Sequence, residues 1–407
     1  LEIDFSNKEF IINPFPILEK CRKEHAVVWA KDDTFFALSY KACEDLLKNE
    51  NLGYPTNEDN SSKSWKELFN DKHITSILFQ LEKSDKFMSM WMNLRNNEDH
   101  NRIRKLFLPA FRKNAIDELQ SHINLLCDEL IDELKTKKEV DLVHDFCLPL
   151  TTQTLLHLLG LNEEKSQYIL NLSYQLYQTL RISPPHQTII NRKKHIVECA
   201  RFFSDFLHNE SKISNDGFLH YLRQKINSNE LSEDEFIANA TFLFIAGYNS
   251  TQSLISNTIK LLLQNNLWAT INQNTFEHLN SAINESLRFE APAPYISKFV
   301  LNDFSYEGVD FKRGQIIYIL LISANRDENV FENANIFNLH RKPNNHLSFG
   351  LGRNYCIGTF LAMAQTETAI KKLRENFPNL TLSGENAIEW NTAGNADRSL
   401  EKLKVKL

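Results

Sequence analysis

Ten consecutive residues carry the most distinctive chemistry in the chain: Phe349-Gly350-Leu351-Gly352-Arg353-Asn354-Tyr355-Cys356-Ile357-Gly358, one cysteine inside a turn with three glycines. The positions after it, Thr359 to Arg374, lack Gly and Pro and predict a helix. A loop that closes onto a helix N-terminus favours an anion, because free amides and the helix dipole point there. Such a setting favours the thiolate, the form that binds metal. Glycines let the backbone approach something flat and bulky. One soft ligand with no CxxC partner does not suit zinc, which takes three or four protein ligands. It suits the single axial position of a haem iron. The plainer reading is a small buried cysteine beside an ordinary glycine turn.

Three further stretches offer chemistry. In Phe244-Ile245-Ala246-Gly247-Tyr248-Asn249-Ser250-Thr251 a glycine interrupts a helical pattern and is followed by an amide and two hydroxyls. Glycine there costs about 1 kcal/mol against alanine, so a close approach or a local opening is expected, with tolerance for helix packing as the alternative. His100 and Arg104, four apart in a basic stretch with Arg102, Lys105, Arg112 and Lys113, share one helical face. A solvated charged stripe would look the same. Glu285 and Arg288 stand three apart in a helical pattern and can pair locally. That signal is weak alone, since surface pairs are common.

The elements that must position these residues follow from pattern and punctuation. A helix is predicted from Ile17 to about His25, then a hairpin of Val27-Val28-Trp29 with Thr34 to Leu38, then a helix capped by Ser39 and running through Leu47. Residues 51–95 are polar and irregular at first, the mark of a functional or mobile connection. The stretch His100 to Lys113 reads as helix interrupted at Pro109, and Ala115 to Leu207 as helix broken at Pro184-Pro185. Ser232 and Glu235 form a capping box that opens a long helix from Glu233 to Gln264. Ala291 to Lys298 leaves a helix and enters a strand. Phe304 to Val309 and Gln315 to Leu320 read as strands about the Lys312-Arg313-Gly314 turn. Trp390 to Arg398 with Leu403 to Val405 predict a final hairpin.

Composition narrows the function classes. A chain of 407 residues allows two or three domains or one large one. With 46 basic against 52 acidic side chains the net charge is −6, which argues against wholesale nucleic-acid binding. The apolar run Ile316 to Ile322 is too short to cross a bilayer, and the first residues lack the pattern of a signal peptide. Six scattered cysteines without pairing motifs predict reduced thiols in a cytoplasm.

The spacing F-G-x-G-x-x-x-C-x-G at residues 349–358 resembles the haem-binding loop of the cytochrome P450 family, and the order of elements resembles its soluble bacterial members along nearly the whole chain. The resemblance implies a mainly α fold with a minor β region: one triangular helical haem domain with a small N-terminal-side sheet over residues 1–407, acting as a monomer without a fused reductase. It implies heme b (iron protoporphyrin IX) with Cys356 as the iron ligand, and Phe349, Gly350, Gly358, Ala246 and Gly247 beside the cofactor. His100, Arg104 and Lys298 would bind the propionates, and Asn354 stands where the family usually has His or Arg. Lys298 replaces an arginine, a point charge for a planar fork. Asn249, Ser250 and Thr251 fall on the stretch that delivers protons to bound oxygen, with Asn249 where an acid is usual and Ser250 where the first Thr is. An amide cannot relay a proton as a carboxyl does, and general acid help is worth about 100- to 10,000-fold.

Substrate contacts implied by the resemblance are Tyr174, Tyr177, Phe244, Tyr248, Pro294, Tyr295 and Ile296, with core packing an equal alternative for Tyr174 and Tyr177. The tip of the final hairpin is implied to dip toward the same pocket. Glu285, Arg288 and Arg341 would form a structural lock behind the haem. The expected function is a monooxygenase that inserts one oxygen atom from O2 into a hydrophobic small molecule, expected in secondary metabolism, with electrons from a separate ferredoxin-type donor. Two other classes compete. One is a haem-thiolate oxidase that couples, desaturates or uses peroxide without net oxygen insertion, motivated by Asn249-Ser250. The other is a haem protein without turnover.

Overall fold

Local signals start most elements where side-chain chemistry asks for them. The computed structural model describes all residues except 1–2, 31–33, 55–86, 162, 181, 183–185, 209–216, 272–275 and 395. Asn7 caps α1 (Lys8–Ile12), its side chain accepting from the N–H groups of Glu9 and Phe10. In α2 (Phe15–Glu24), Pro16 sits in the first turn, where its missing N–H is harmless. β1 (Val27–Trp29) and β2 (Thr34–Ala37) form the expected antiparallel hairpin. The Ser39 hydroxyl then accepts from Ala42 N–H at 3.2 Å and starts α3 (Tyr40–Lys48). The edge strand β3 (Leu52–Gly53) follows. The loop expected at residues 57–64 lies outside the described residues.

The chain groups into two compact units. One comprises Leu1–Leu52, Ile116–Thr151 and Asn249–Leu407, and the other Gly53–Ala115 and Thr152–Tyr248. In the second unit, α4 (Asn97–Phe111) runs straight through Pro109, so the expected interruption is displaced. The helix ends at Arg112, whose backbone is extended, and α5 (Lys113–Leu134) begins there. A proline removes its own N–H and crowds the carbonyl four residues earlier, and here the helix stops within a turn of it.

The helical stretch expected from Ala115 to Leu207 is interrupted by β4 (Glu139–Asp141), which pairs with the C-terminal strand. It then resumes as α6 (Leu148–Leu159), α7 (Glu163–Thr179) and α8 (His186–His208). Pro184-Pro185 lies outside the described residues, between the end of α7 and the start of α8. Then come α9 (Phe218–Asn227) and α10 (Glu233–Gln264). The capping box is formed: Ser232 N–H donates to Glu235 Oε2 (3.0 Å) and Glu235 N–H to Ser232 Oγ (3.1 Å). Aromatic pairs fill the second unit, Phe107 with Phe218 at 5.4 Å and Phe203 with Phe244 at 6.3 Å.

The first unit holds the sheets. After α11 (Phe276–Phe289) come β5 (Ile296–Val300), β6 (Phe304–Tyr306), β7 (Val309–Phe311) and β8 (Ile316–Ile319). The strand expected over Phe304 to Val309 is in fact a hairpin bent at Glu307-Gly308, whose φ angles of 49° and 75° suit a turn that matches strand twist. β8 pairs antiparallel with β5 and parallel with β2, completing a sheet of order β1-β2-β8-β5-β3. Phe35, Phe311, Ile317, Ile319 and Leu347 bury against it. The short α12 (Leu321–Ala324) and the long α13 (Thr359–Asn376) follow. The final strands are β9 (Thr381–Leu382), β10 (Ile388–Trp390) and β11 (Leu400–Lys406). β10 and β11 make the expected hairpin, with the residues between them forming its tip rather than continuing the strand. Among the described residues no helix is long and apolar enough to cross a membrane.

Candidate functional site

Glycine geometry shapes the cysteine loop. Gly350 and Gly352 take φ of 70° and 65°, a region L side chains rarely adopt. Gly350 N–H donates to Leu347 O (2.8 Å), Tyr355 N–H to Gly352 O (3.2 Å), and Cys356 N–H back across the turn to Phe349 O (2.8 Å). The Thr359 hydroxyl donates to Cys356 O (2.9 Å), tying the loop to the first turn of α13. A Cβ on Gly358 would lie 3.9 Å from Cys356 Sγ, so the sulfur stands close to the helix start. Phe349 and Tyr355 face each other at 6.1 Å.

Cys356 is exposed, whereas Cys21, Cys43, Cys127, Cys147 and Cys199 are buried. Burial pushes the buried thiols up, Cys127 to about 12, which holds them neutral. The same holds in direction for the other four. Among the described residues no three His, Cys, Asp or Glu side chains converge on a point.

A buried ion cluster stands behind the loop. Glu285 accepts from Arg288 Nε and Nη2 at 2.8 Å each and from Arg341 Nε at 3.1 Å. Asn338 N–H (2.9 Å) and Asn344 Nδ2 (3.2 Å) complete its shell. Glu285 and Arg288 are fully buried and Arg341 nearly so. Arg288 Nη1 donates to Asn325 O (2.9 Å), and the Asn325 side chain holds Leu347 N–H (2.7 Å) and Ser348 Oγ (2.8 Å). Polar contacts thus run from the cluster to the root of the loop. His346, pushed down to about 4 by burial and by Arg288, is a neutral ring in this network, its Nε2 3.2 Å from Asn284 Oδ1.

β5 approaches the loop from the sheet. Ile296 and Lys298 share one strand face, and Ile296 Cδ1 lies 3.6 Å from where a Gly350 Cβ would be. Lys298 is buried, and burial followed by repulsion from Arg353 pushes it down to about 8. Asn354 is half-buried in the loop and Arg353 exposed. Tyr295 packs edge-on against Tyr318 (5.3 Å) and Phe5 (5.8 Å), with Pro294 buried beside it.

α10 is continuous through Gly247, without the local opening that a mid-helix glycine allows. A Cβ on Gly247 would meet Leu155 Cδ1 at 3.1 Å and Cδ2 at 3.2 Å, so close helix approach explains the residue. Ala246 is half-buried beside it. At the next turn Asn249 and Thr251 are buried and Ser250 half-buried. Asn249 Nδ2 donates to Asp397 Oδ2 at 2.6 Å, across 148 positions of sequence. Burial pushes Asp397 up to about 6 despite the hydrogen bonds from Ser399 and Asn249.

In the second unit His100 is buried and Arg104 half-buried on one face of α4. Tyr174 is exposed and Tyr177 half-buried on α7. Phe244 is fully buried against Phe203, the placement of a packing residue. The side chain of Tyr248 lies outside the described residues.

Sequence reasoning missed a second buried charge cluster. Lys260 donates to Glu290 (3.0 Å) and lies over Trp390 at 4.1 Å, while Arg398 pairs with the same Glu290. Lys260 within Thr258-Ile259-Lys260-Leu261-Leu262, a lone charge in an apolar helix segment, was the available signal. Nothing local marked Asp397.

Comparisons with known proteins bear on this geometry. A family model described as Cytochrome P450 matches residues 271–391, which include the cysteine loop and the buried ion cluster. The protein of Bacillus subtilis (strain 168) named Biotin biosynthesis cytochrome P450 is 26% identical over 390 residues, covering 95% of this chain and 93% of that one. Polyketide biosynthesis cytochrome P450 PksS of the same organism is 27% identical over 411 residues, covering 98% and 97%. The structure of P450BioI in complex with hexadec-9Z-enoic acid ligated acyl carrier protein superposes with a TM-score of 0.86 at 25% identity, covering 98% of this chain and 100% of that one.

Proposed function

The chain belongs to the cytochrome P450 family, enzymes that use heme b, and from that premise we propose that it inserts one oxygen atom from O2 into a hydrophobic small molecule, with electrons from a separate ferredoxin-type donor. The observation that carries the reading is the exposed Cys356 in a glycine-shaped loop rooted in the Glu285–Arg288–Arg341 cluster. Bound there, the haem supplies the oxygen chemistry, favoured by a thiolate that pushes electron density toward the iron.

The residues of the chain have separable tasks. Cys356 Sγ would be the thiolate that holds the haem iron. Phe349, Gly350 and Gly358 shape its loop. Lys298 would hold a carboxylate of the cofactor, and the Asn354 amide can hydrogen-bond but carries no charge. Ser250 and Thr251 offer the hydroxyls that move a proton along α10, and Asn249 orients their neighbourhood. Pro294, Tyr295 and Ile296 present apolar surface to a substrate beside the loop.

Two measurements test this. Reduced protein with carbon monoxide should show the red-shifted Soret band of thiolate ligation, and Cys356→Ser should abolish it. An unchanged band in that variant rejects the ligand assignment. Products of a metabolite screen should gain the mass of one oxygen. Loss of two hydrogens instead would favour the coupling or desaturating reading that Asn249-Ser250 motivates.

The structural relative P450BioI is in complex with a fatty-acyl carrier protein. That likeness supports a second reading, in which the substrate is an acyl chain presented on a carrier. Spectral titration with an acyl-carrier conjugate against the free acid separates the two: tighter binding of the conjugate supports the carrier, and equal binding rejects it.

A further inference from the structure

We propose that Asp397 is the positioning acid of Asn249: the C-terminal hairpin brings a carboxyl to the turn of α10 that carries this amide, and the proton it holds sets which end of the Asn249 amide faces Asp397 and which end is left to the surroundings. The inference rests on the function proposed above, but its geometry stands alone.

The contact is direct and immobilised. Asn249 Nδ2 donates to Asp397 Oδ2 at 2.6 Å, and both side chains are buried. Eight positions along α10, on the same face, Asn257 Nδ2 donates to Arg398 O (2.8 Å). Arg398 N–H donates to Pro292 O (2.8 Å), and its guanidinium reaches Ile11 O (2.7 Å), Ile12 O (3.0 Å) and Glu290. The tip is therefore anchored without Asp397. As a mere anchor Asp397 would be a poor choice, because its hydrogen-bond partners, Asn249 and Ser399, are neutral and a buried carboxylate beside neutral groups is costly. The cations on the neighbouring elements turn elsewhere: Arg398 and Lys260 to Glu290, and Arg326 over Phe289 at 3.3 Å.

The chemistry is a reversible protonation. The ionised carboxylate only accepts, so it takes the amide NH2 and leaves the Asn249 oxygen directed away. The neutral acid has an O–H to donate, which suits the amide oxygen and turns the NH2 end the other way. One proton is taken up from solvent, no other bond changes, and the Asn249 amide turns with it. Asp397, Asn391, Arg398, Phe5, Phe10 and Ile11 line part of a cavity of about 20 Å³, room for one water.

The test compares the haem-loaded full chain with Asp397→Asn, with Asn249→Ala, and with the exchange Asn249→Asp/Asp397→Asn. Hydrogen peroxide release driven by NADPH, a surrogate ferredoxin and its reductase, with no substrate added, is followed from pH 5 to 8. The parent should show a step near pH 6. Asp397→Asn should flatten it and lower the pH 5 rate about tenfold while keeping its Soret band, and the exchange should restore the step. An unaltered profile in Asp397→Asn, or an exchange as flat as that variant, overturns the proposal. Infrared titration of the carboxyl band needs no turnover and no Asp397 variant: Asn249→Ala should move the buried acid's midpoint to higher pH, and an unmoved midpoint also overturns it. A protein that lacks the thiolate Soret band yet shows the infrared shift would refute the haem reading and leave this pairing standing.

Discussion

Replacing Glu285 by Gln should cost about 3 to 5 kcal/mol of folding stability, the range for breaking a buried ion pair from one side. The carboxylate accepts from two nitrogens of Arg288, from Arg341, from Asn338 N–H and from Asn344. Gln keeps the shape but offers one acceptor oxygen and turns an NH2 group toward donors. Two guanidinium groups, one fully buried and one nearly so, would then lack a counter-charge. Set against a typical total of about 5 to 15 kcal/mol, the loss is a third or more. Guanidinium denaturation at pH 7 measures it as a lower midpoint at constant slope. Because Arg288 also holds Asn325, which holds Leu347 and Ser348, haem should dissociate faster from the folded variant. A loss below about 1 kcal/mol, with haem retention unchanged, would refute the view that this cluster carries the loop.

Three more outcomes follow from the geometry. A raised carboxyl pKa means that the folded chain binds the proton more tightly than the unfolded one, so Asp397 costs nothing below about pH 4, and its cost grows to about 3 kcal/mol above pH 6. Asp397→Asn should therefore raise the thermal midpoint at pH 8 and leave it unchanged at pH 4; a lower midpoint at both would mean that the carboxyl is simply an anchor. Lys298, depressed to about 8 by burial and by Arg353, is penalised while charged. That cost is full below pH 8 and fades toward pH 10.5. Lys298→Met should then stabilise haem-free protein by up to about 3 kcal/mol at pH 7 and weaken haem retention, both readable by melting and by haem transfer to an acceptor. Gly247→Ala gains about 1 kcal/mol of helix propensity but meets Leu155 at 3.1 Å, so a net loss of about 1 kcal/mol is expected. Leu155→Val in the same chain should recover part of that loss in a denaturation series.

What could be read from the chain itself was chemistry held within a few residues. The glycine spacing around Cys356, the capping box of Ser232 and Glu235 and the helical register of Glu285 with Arg288 each act over a turn or less, and each appears as the residues imply. Backbone allowance and one-turn hydrogen bonds are properties of the segment, so the segment displays them. The resemblance extended that reading to Arg341, whose pairing no local rule predicts.

Tertiary structure decided the rest. Whether Gly247 opens the helix or admits a neighbour depended on Leu155 arriving from α6. Whether Glu139–Asp141 is helix or strand depended on β11. The acid expected at position 249 is absent there, yet a carboxyl stands 2.6 Å from Asn249, brought by a hairpin 148 residues away. Burial, and with it the cost of a charge or the need for a partner, is set by which segments meet. That depends on the summed packing of the whole chain, and no stretch of residues states it alone.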